Sequence, residues 1–203
     1  MRGWGAALTA VVMLGTAGCG AAATDDGRST AGAATICAHG TYQWSGIQRR
    51  QKVTALADPV TFPKGTEHYE SSLKPVDDTV YRVTVPHVPR GVGAARVVEA
   101  LGDRLRTDEP LADPSEVVRP ERSQYFEDTG DLEGPYYSWG WIGLVEADFT
   151  YTCGYNAPVR GHVLTWETVG EGFLPCSETS DGAAGRSAGL RLCPAGTAAG
   201  ESA

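Results

Sequence analysis

The chain has 203 residues, with 17 basic and 25 acidic side chains and a formal net charge of -8. That length holds one domain of ordinary size with tails, or two small ones, and excludes a large multidomain enzyme. The acidic balance argues against a nucleic-acid partner, because phosphate-backbone binding works through counterion release at a basic face. Val, Leu, Ile and Phe number 38, a low share, but 17 Trp, Tyr and Phe add core material and the charge excess is too small for disorder. A folded domain with a lean core is expected.

The N-terminus reads Met1-Arg2, an apolar stretch from Trp4 to Ala17, then Gly18-Cys19. One positive charge, an apolar run too short to span a bilayer and small residues at the cut describe a signal peptide over 1–18. Thr16-Ala17-Gly18-Cys19 resembles a bacterial lipobox, although Thr16 stands where Leu is commonest. That resemblance implies acylation of Cys19, which makes the lipid bilayer the first expected partner, on the extracytoplasmic side of the cell membrane. The competing reading is cleavage after Ala21-Ala22-Ala23, which would release a soluble secreted protein. After Cys19, residues 20–35 are Ala, Gly, Thr, Ser and Asp with a single Arg28 and no apolar periodicity, so 19–35 has the composition of a flexible tether.

Removing Cys19 leaves Cys37, Cys153, Cys176 and Cys193, an even set suited to an oxidising compartment. No C-x-x-C spacing exists, so a zinc knuckle or thioredoxin-type site has no support. Three connectivities are open. Cys37 with Cys153 and Cys176 with Cys193 is favoured, since it joins a strand start to a strand end and staples the C-terminal segment locally.

A globular β-rich domain is expected over 36–176. From Ala38 to Ile47 apolar and polar residues alternate with the period of a half-buried strand, and a second strand fits Gln51 to Leu56. A third is expected from Thr79 to Val85. From Gly93 to Arg106, Val97, Val98, Leu101 and Leu105 recur at helical spacing. Asp113-Pro114-Ser115-Glu116 reads as a capping box on a single turn. Between Tyr136 and Cys153 the odd positions Tyr137, Trp139, Trp141, Val145, Ala147, Phe149 and Tyr151 form a long core face, with a bulge expected at Gly140 or Gly143. A turn at Tyr155-Asn156-Ala157-Pro158 leads into a partner strand, Val159 to Val169. Residues 177–203 read as a Gly/Ala-rich tail, tied in part by a disulfide. The fold class is therefore α+β, mainly antiparallel sheet with one covering helix, stapled by disulfides.

The stretches Cys37-Ala38-His39-Gly40-Thr41-Tyr42-Gln43-Trp44, Gly91-Val92-Gly93-Ala94-Ala95-Arg96-Val97-Val98-Glu99-Ala100-Leu101 and Ala147-Asp148-Phe149-Thr150-Tyr151-Thr152-Cys153-Gly154 resemble those of uncharacterised lipoproteins of Streptomyces-type actinobacteria. The excess of Arg over Lys, 14 to 3, suits a GC-rich genome. The resemblance implies a location and no mechanism.

Several motifs carry chemistry elsewhere. Gly185-Arg186-Ser187-Ala188-Gly189 fits the G-x-S-x-G nucleophile elbow, but no His follows Ser187 and no strand precedes it. Glu146 and Asp148, two apart on a strand, share a face at a spacing that suits carboxylate-based hydrolysis, or simply a solvated face. Trp139 and Trp141 read either as core or, with Tyr137, as a sugar-stacking platform. His39, His68, His87 and His162 are scattered without metal spacing. Arg49-Arg50-Lys52 suits a solvated strand edge or a lipid surface. Gly91-Val92-Gly93-Ala94-Ala95-Arg96 lacks the third glycine of a dinucleotide loop, so no cofactor is expected. Arg90, Gly91 and Gly93, at the start of the helix, remain a candidate anion-binding site. The catalytic residues, if any, are unassigned, and no metal site is expected. The leading expectation is a non-enzymatic binding or interaction module that meets an unknown envelope ligand or protein; the alternative is an exported hydrolase.

Overall fold

The computed structural model describes residues 37, 39–66, 68–120, 122–127 and 132–201. The signal peptide over 1–18, the lipidation site Cys19 and the tether over 19–35 lie outside the described residues. Three long antiparallel strands organise the rest: β1 (Thr41–Leu56), β7 (Gly134–Thr152) and β8 (Val159–Pro175). β7 is central, with β1 on one side and β8 on the other. Shorter strands complete the sheet: β2 (Val60–Phe62) beside β7, β3 (His68–Pro75) beside the end of β1, and β6 (Arg122–Glu127) beside β3. β4 (Tyr81–Arg82) and β5 (Val117–Val118) pair separately.

The α+β architecture with a predominant antiparallel sheet agrees with the sequence expectation. Its details differ. The two strands expected between Ala38 and Leu56 are one, because bulges rather than a turn absorb the break in alternation. Ser45 faces Asp148 and Gln48 faces Glu146, so Gly46 and Ile47 together oppose a single residue, and Gly46 takes φ +61 to make that possible. The bulge expected in the long strand at Gly140 or Gly143 falls instead on its neighbours: Thr168 and Trp166 of β8 oppose Gly143 and Leu144 with Glu167 as the extra residue, and Thr54 of β1 is extra opposite Gly140 and Trp141. The strand expected over 79–85 is only β4 plus a bridge between Thr84 and Leu164, since its backbone joins the edge of β8 at one point instead of forming a ladder.

Helix α1 (Ala94–Leu105) buries Val97, Val98 and Leu101 and ends with Arg106 in the left-handed conformation. The capping turn forms as its sequence dictates: the Asp113 N–H donates to Glu116 Oε1 at 2.7 Å and the Ser115 N–H to Asp113 Oδ1 at 2.9 Å. The segment 177–203, expected as a tail, instead contributes α2 (Ala183–Leu192) and α3 (Ala198–Glu201) to the domain. Helix α2 packs on β1 and β7. No large apolar stripe announces it, because its contact face is Ala184, Gly185, Ala188 and Gly189. Small side chains let its backbone approach the sheet closely; there is room for little else.

Two apolar clusters result. The first joins α1 to Ile142, Leu144, Val145, Ala147 and Phe149 of β7 and to Val163 and Trp166 of β8. Both odd and even positions of β7 are buried there, so both faces of the sheet are covered. The second joins Tyr137 and Trp139 to Ala184, Ala188, Ala199 and Cys176. The disulfides are Cys37–Cys153, Cα atoms 6.1 Å apart, and Cys176–Cys193, 5.5 Å apart. This is the favoured pairing. Chain-entropy arithmetic for closures of 116 and 17 residues gives about 5 and about 3 kcal/mol. A Cys37→Ser/Cys153→Ser variant is therefore expected to lose more stability than Cys176→Ser/Cys193→Ser in urea melts.

Three ring-over-glycine pairs lock β7 to β8. Trp139 faces Gly172, Trp141 faces Gly170 and Phe149 faces Gly161 directly across the ladder. A Cβ at any of the three would run into the ring. Gly143 differs, since a Cβ there meets Thr168 at an ordinary 3.4 Å. Gly172→Ala is expected to destabilise by about 1–3 kcal/mol through overpacking, with Gly143→Ala within about 0.5 kcal/mol of the parent, both read by equilibrium urea unfolding.

Candidate functional site

The polar face of the three long strands gathers most of the charged groups considered for chemistry. Asp148 lies between Ser45 on β1 and His162 on β8, its direct cross-strand neighbours. His162 Nδ1 is 2.9 Å from Asp148 Oδ1, and Arg50 pairs with Glu146. Arg49, which the register sets on the opposite face with Val145, reaches Glu167 at 2.6 Å. In a nucleophilic relay the histidine stands between serine and carboxylate. Here the carboxylate is in the middle, so His162 has no route to the Ser45 hydroxyl. Glu146 is engaged by Arg50 and Asp148 by the His162 ring on an open strand face, rather than set on opposite walls of a cleft. The arrangement suits a row of cross-strand ion pairs, each worth at most about 1 kcal/mol at this exposure.

Arg49 and Arg50 lie in Ser45 to Gln51, a wholly exposed run of β1. Between Thr41 and Gln51 the outer edge of β1 has no strand beside it among the described residues. Charge and the Gly46 bulge are the devices by which natural edges resist further pairing.

Ser187 sits inside α2, without the strand-to-helix turn that a nucleophile elbow requires. The glycines of that motif have a packing reason instead. A Cβ at Gly185 would meet Trp139 and Ser180, and one at Gly189 would lie 2.9 Å from the Ala199 Cβ. Trp139 is itself 6% exposed and stacked on Tyr137 at 5.0 Å, which makes it core and not a sugar platform; Trp141 is half-buried beside it. A different group of rings was not foreseen. Phe62, Tyr69, Tyr136 and Phe173 converge from four strands, with Tyr136 and Phe173 stacked at 4.9 Å.

Loop geometry sets the approach to α1. Gly91 has φ +82, the Val92 N–H donates to the Pro89 carbonyl at 3.0 Å, and Gly93 caps the helix in extended conformation. No side chain caps this end and no acidic residue occupies its first turn. His87 and Arg90 are exposed on the same connection, and His39 is exposed as well. Arg90 lines a cavity of about 250 Å³ beside the Cys37–Cys153 disulfide, whose other walls include Pro89, Tyr151, Asn156 and Val159. Gly91 and Gly93 are not among the walls of the cavity that Arg90 lines.

Tyr151 organises that region. Its hydroxyl accepts the Gly40 N–H at 2.8 Å and donates to the Cys37 carbonyl at 3.0 Å, binding the start of β1 to the end of β7. Beside it, burial and then the neighbouring Tyr151 push the Tyr42 phenol up, against the opposing pull of Arg96. A larger cleft of about 590 Å³ runs along the outer side of α1, rimmed by Glu99, Asp103, Asp108 and Glu109 together with Arg96 and Arg106. Arg96 is paired with Glu99 at 3.2 Å. Among the described residues no group of three or more His, Cys, Asp or Glu is placed to hold a metal ion.

Comparison with protein-family models, curated proteins and solved structures returned no match for the chain. The packing account of the serine motif is directly testable. Ser187→Ala is expected to leave urea stability within about 0.5 kcal/mol of the parent, whereas Gly185→Leu, driven into Trp139, loses about 1–3 kcal/mol or more.

Proposed function

We propose that this chain is an exported, membrane-anchored lipoprotein whose folded domain is a non-enzymatic binding or interaction module of the cell envelope. The observation that carries the reading is the disposition of the cysteines. Four of the five are joined in two disulfides, bonds that persist in oxidising compartments, and the fifth is Cys19 in Thr16-Ala17-Gly18-Cys19. The resemblance to Streptomyces-type lipoproteins supports the same location. Acylation at Cys19 with two or three chains would hold the domain at the bilayer where a single chain would not.

The engagement of Glu146 by Arg50 and of Asp148 by His162 supports binding over the hydrolase alternative, as does the placement of Ser187 within a helix. Cys19→Ser is expected to move the protein from the membrane fraction to the medium, with its disulfides intact on a non-reducing gel. Unchanged membrane retention would defeat the anchoring. A parent protein already found in the medium would favour free secretion after Ala23.

A further inference from the structure

We propose that the cavity beside the Cys37–Cys153 disulfide binds a small organic carboxylate with an apolar body, held by Arg90. This rests on the reading of the domain as a binding module and names the chemistry of its ligand. About 250 Å³ corresponds to roughly eight water volumes at ~30 Å³ each. A single ring or a short branched chain with its carboxylate fits that space.

The walls are largely apolar and already fixed. Tyr151, Cys153 and Pro89 are buried, the disulfide ties two walls together, and the Tyr151 hydroxyl has both its donor and its acceptor function engaged by the backbone. A preformed pocket avoids much of the ordering cost of binding. Arg90 is the one charged residue of the lining. No hydrogen bond or ion pair engages its side chain among the described residues, in contrast to Arg49, Arg50 and Arg96. A guanidinium offers two parallel N–H groups matched to a carboxylate, in an otherwise acidic chain where carboxylates are in excess.

These features select among ligands. An amine meets the Arg90 charge, and a polyanion meets the net charge of -8. Inorganic phosphate has no apolar body for the Pro89 and Val159 walls. A carboxylate at the end of a peptide carries the same chemistry as a free acid.

The test is an NMR titration of the oxidised protein with benzoate, acetate and benzamide, followed at the Val159 methyls and the Ala157 amide. Benzoate is expected to give saturable shifts in the millimolar range, acetate to bind at least about tenfold more weakly for want of a body, and benzamide to give no saturation. Arg90→Gln should weaken benzoate by about tenfold or more, with Arg90→Lys between the two. N-acetylvaline against benzoate then distinguishes a peptide terminus from a free acid. Absence of saturation by benzoate at tens of millimolar, equal binding of benzamide, or an Arg90→Gln variant that binds like the parent would each overturn the proposal. The fractionation of Cys19→Ser does not involve Arg90, so a silent titration with intact anchoring removes the pocket and leaves the location standing.

Discussion

Trp139, Trp141 and Phe149 each lie across a glycine of β8, at Gly172, Gly170 and Gly161. A ring laid on bare backbone buries a large apolar area without needing a second bulky side chain opposite it. That matters in a chain with few aliphatic residues. The pairs also fix register, because sliding β8 by one residue would put a Cβ under each ring and turn every side chain to the other face. With β7 and β8 held in register over nearly their whole length, β1 can pair along the other side of β7 and tolerate two irregularities without losing alignment.

The remaining elements attach to this three-stranded unit by small-residue contacts and by covalent bonds. Helix α2 docks through alanine and glycine, its Ala184 N–H donates to the Gln51 side chain of β1 at 3.3 Å, and the Ala199 N–H of α3 donates to the Cys176 carbonyl at 3.1 Å. Such contacts bury little area each, so Cys176–Cys193 supplies what side-chain packing there does not. At the opposite end, Cys37–Cys153 and the two hydrogen bonds of Tyr151 hold the first described residues against the end of β7. The loops of β8's outer edge are stitched on by backbone: Thr84 and Leu164 exchange two bonds at 2.9 Å, and Ala112 accepts the buried Thr165 hydroxyl while donating to the Trp166 carbonyl.

Periodicity reports side chains that alternate, and it makes α1 and the β7–β8 hairpin legible in the sequence. It is blind where the contact is made by the absence of a side chain. Helix α2 was unreadable for that reason, and so were the roles of Gly161, Gly170 and Gly172, whose partners lie across a strand pair and not along the chain. The short strands β2, β3 and β6 owe their pairing to neighbours contributed from distant sequence, which local alternation does not record. For the candidate site the outcome divides similarly. Arg90 could be singled out from its own neighbourhood, but the cavity it lines is closed by Tyr151, Asn156 and Val159 of the hairpin, which the packing of α1 on β7 and β8 brings to it.

The position of that cavity follows from the same economy. Both faces of the sheet are covered in the middle of β7, and the polar face beyond them is occupied by the Arg50–Glu146 and His162–Asp148 contacts, so neither leaves a concave apolar surface. Space remains where long strands end and their connections must turn back. Gly154, at φ +56, reverses the hairpin beside Cys153, while Gly91 reverses the approach to α1 beside Pro89. Two turns facing each other across a disulfide cannot interdigitate as two strands do, and the gap between them is lined by what turns and disulfides provide: proline, sulfur, a short aliphatic chain and one arginine. A rigid frame thus leaves its recognition chemistry to the loops at one end, where a change of a single side chain alters the ligand without disturbing the ladder that holds the pocket open.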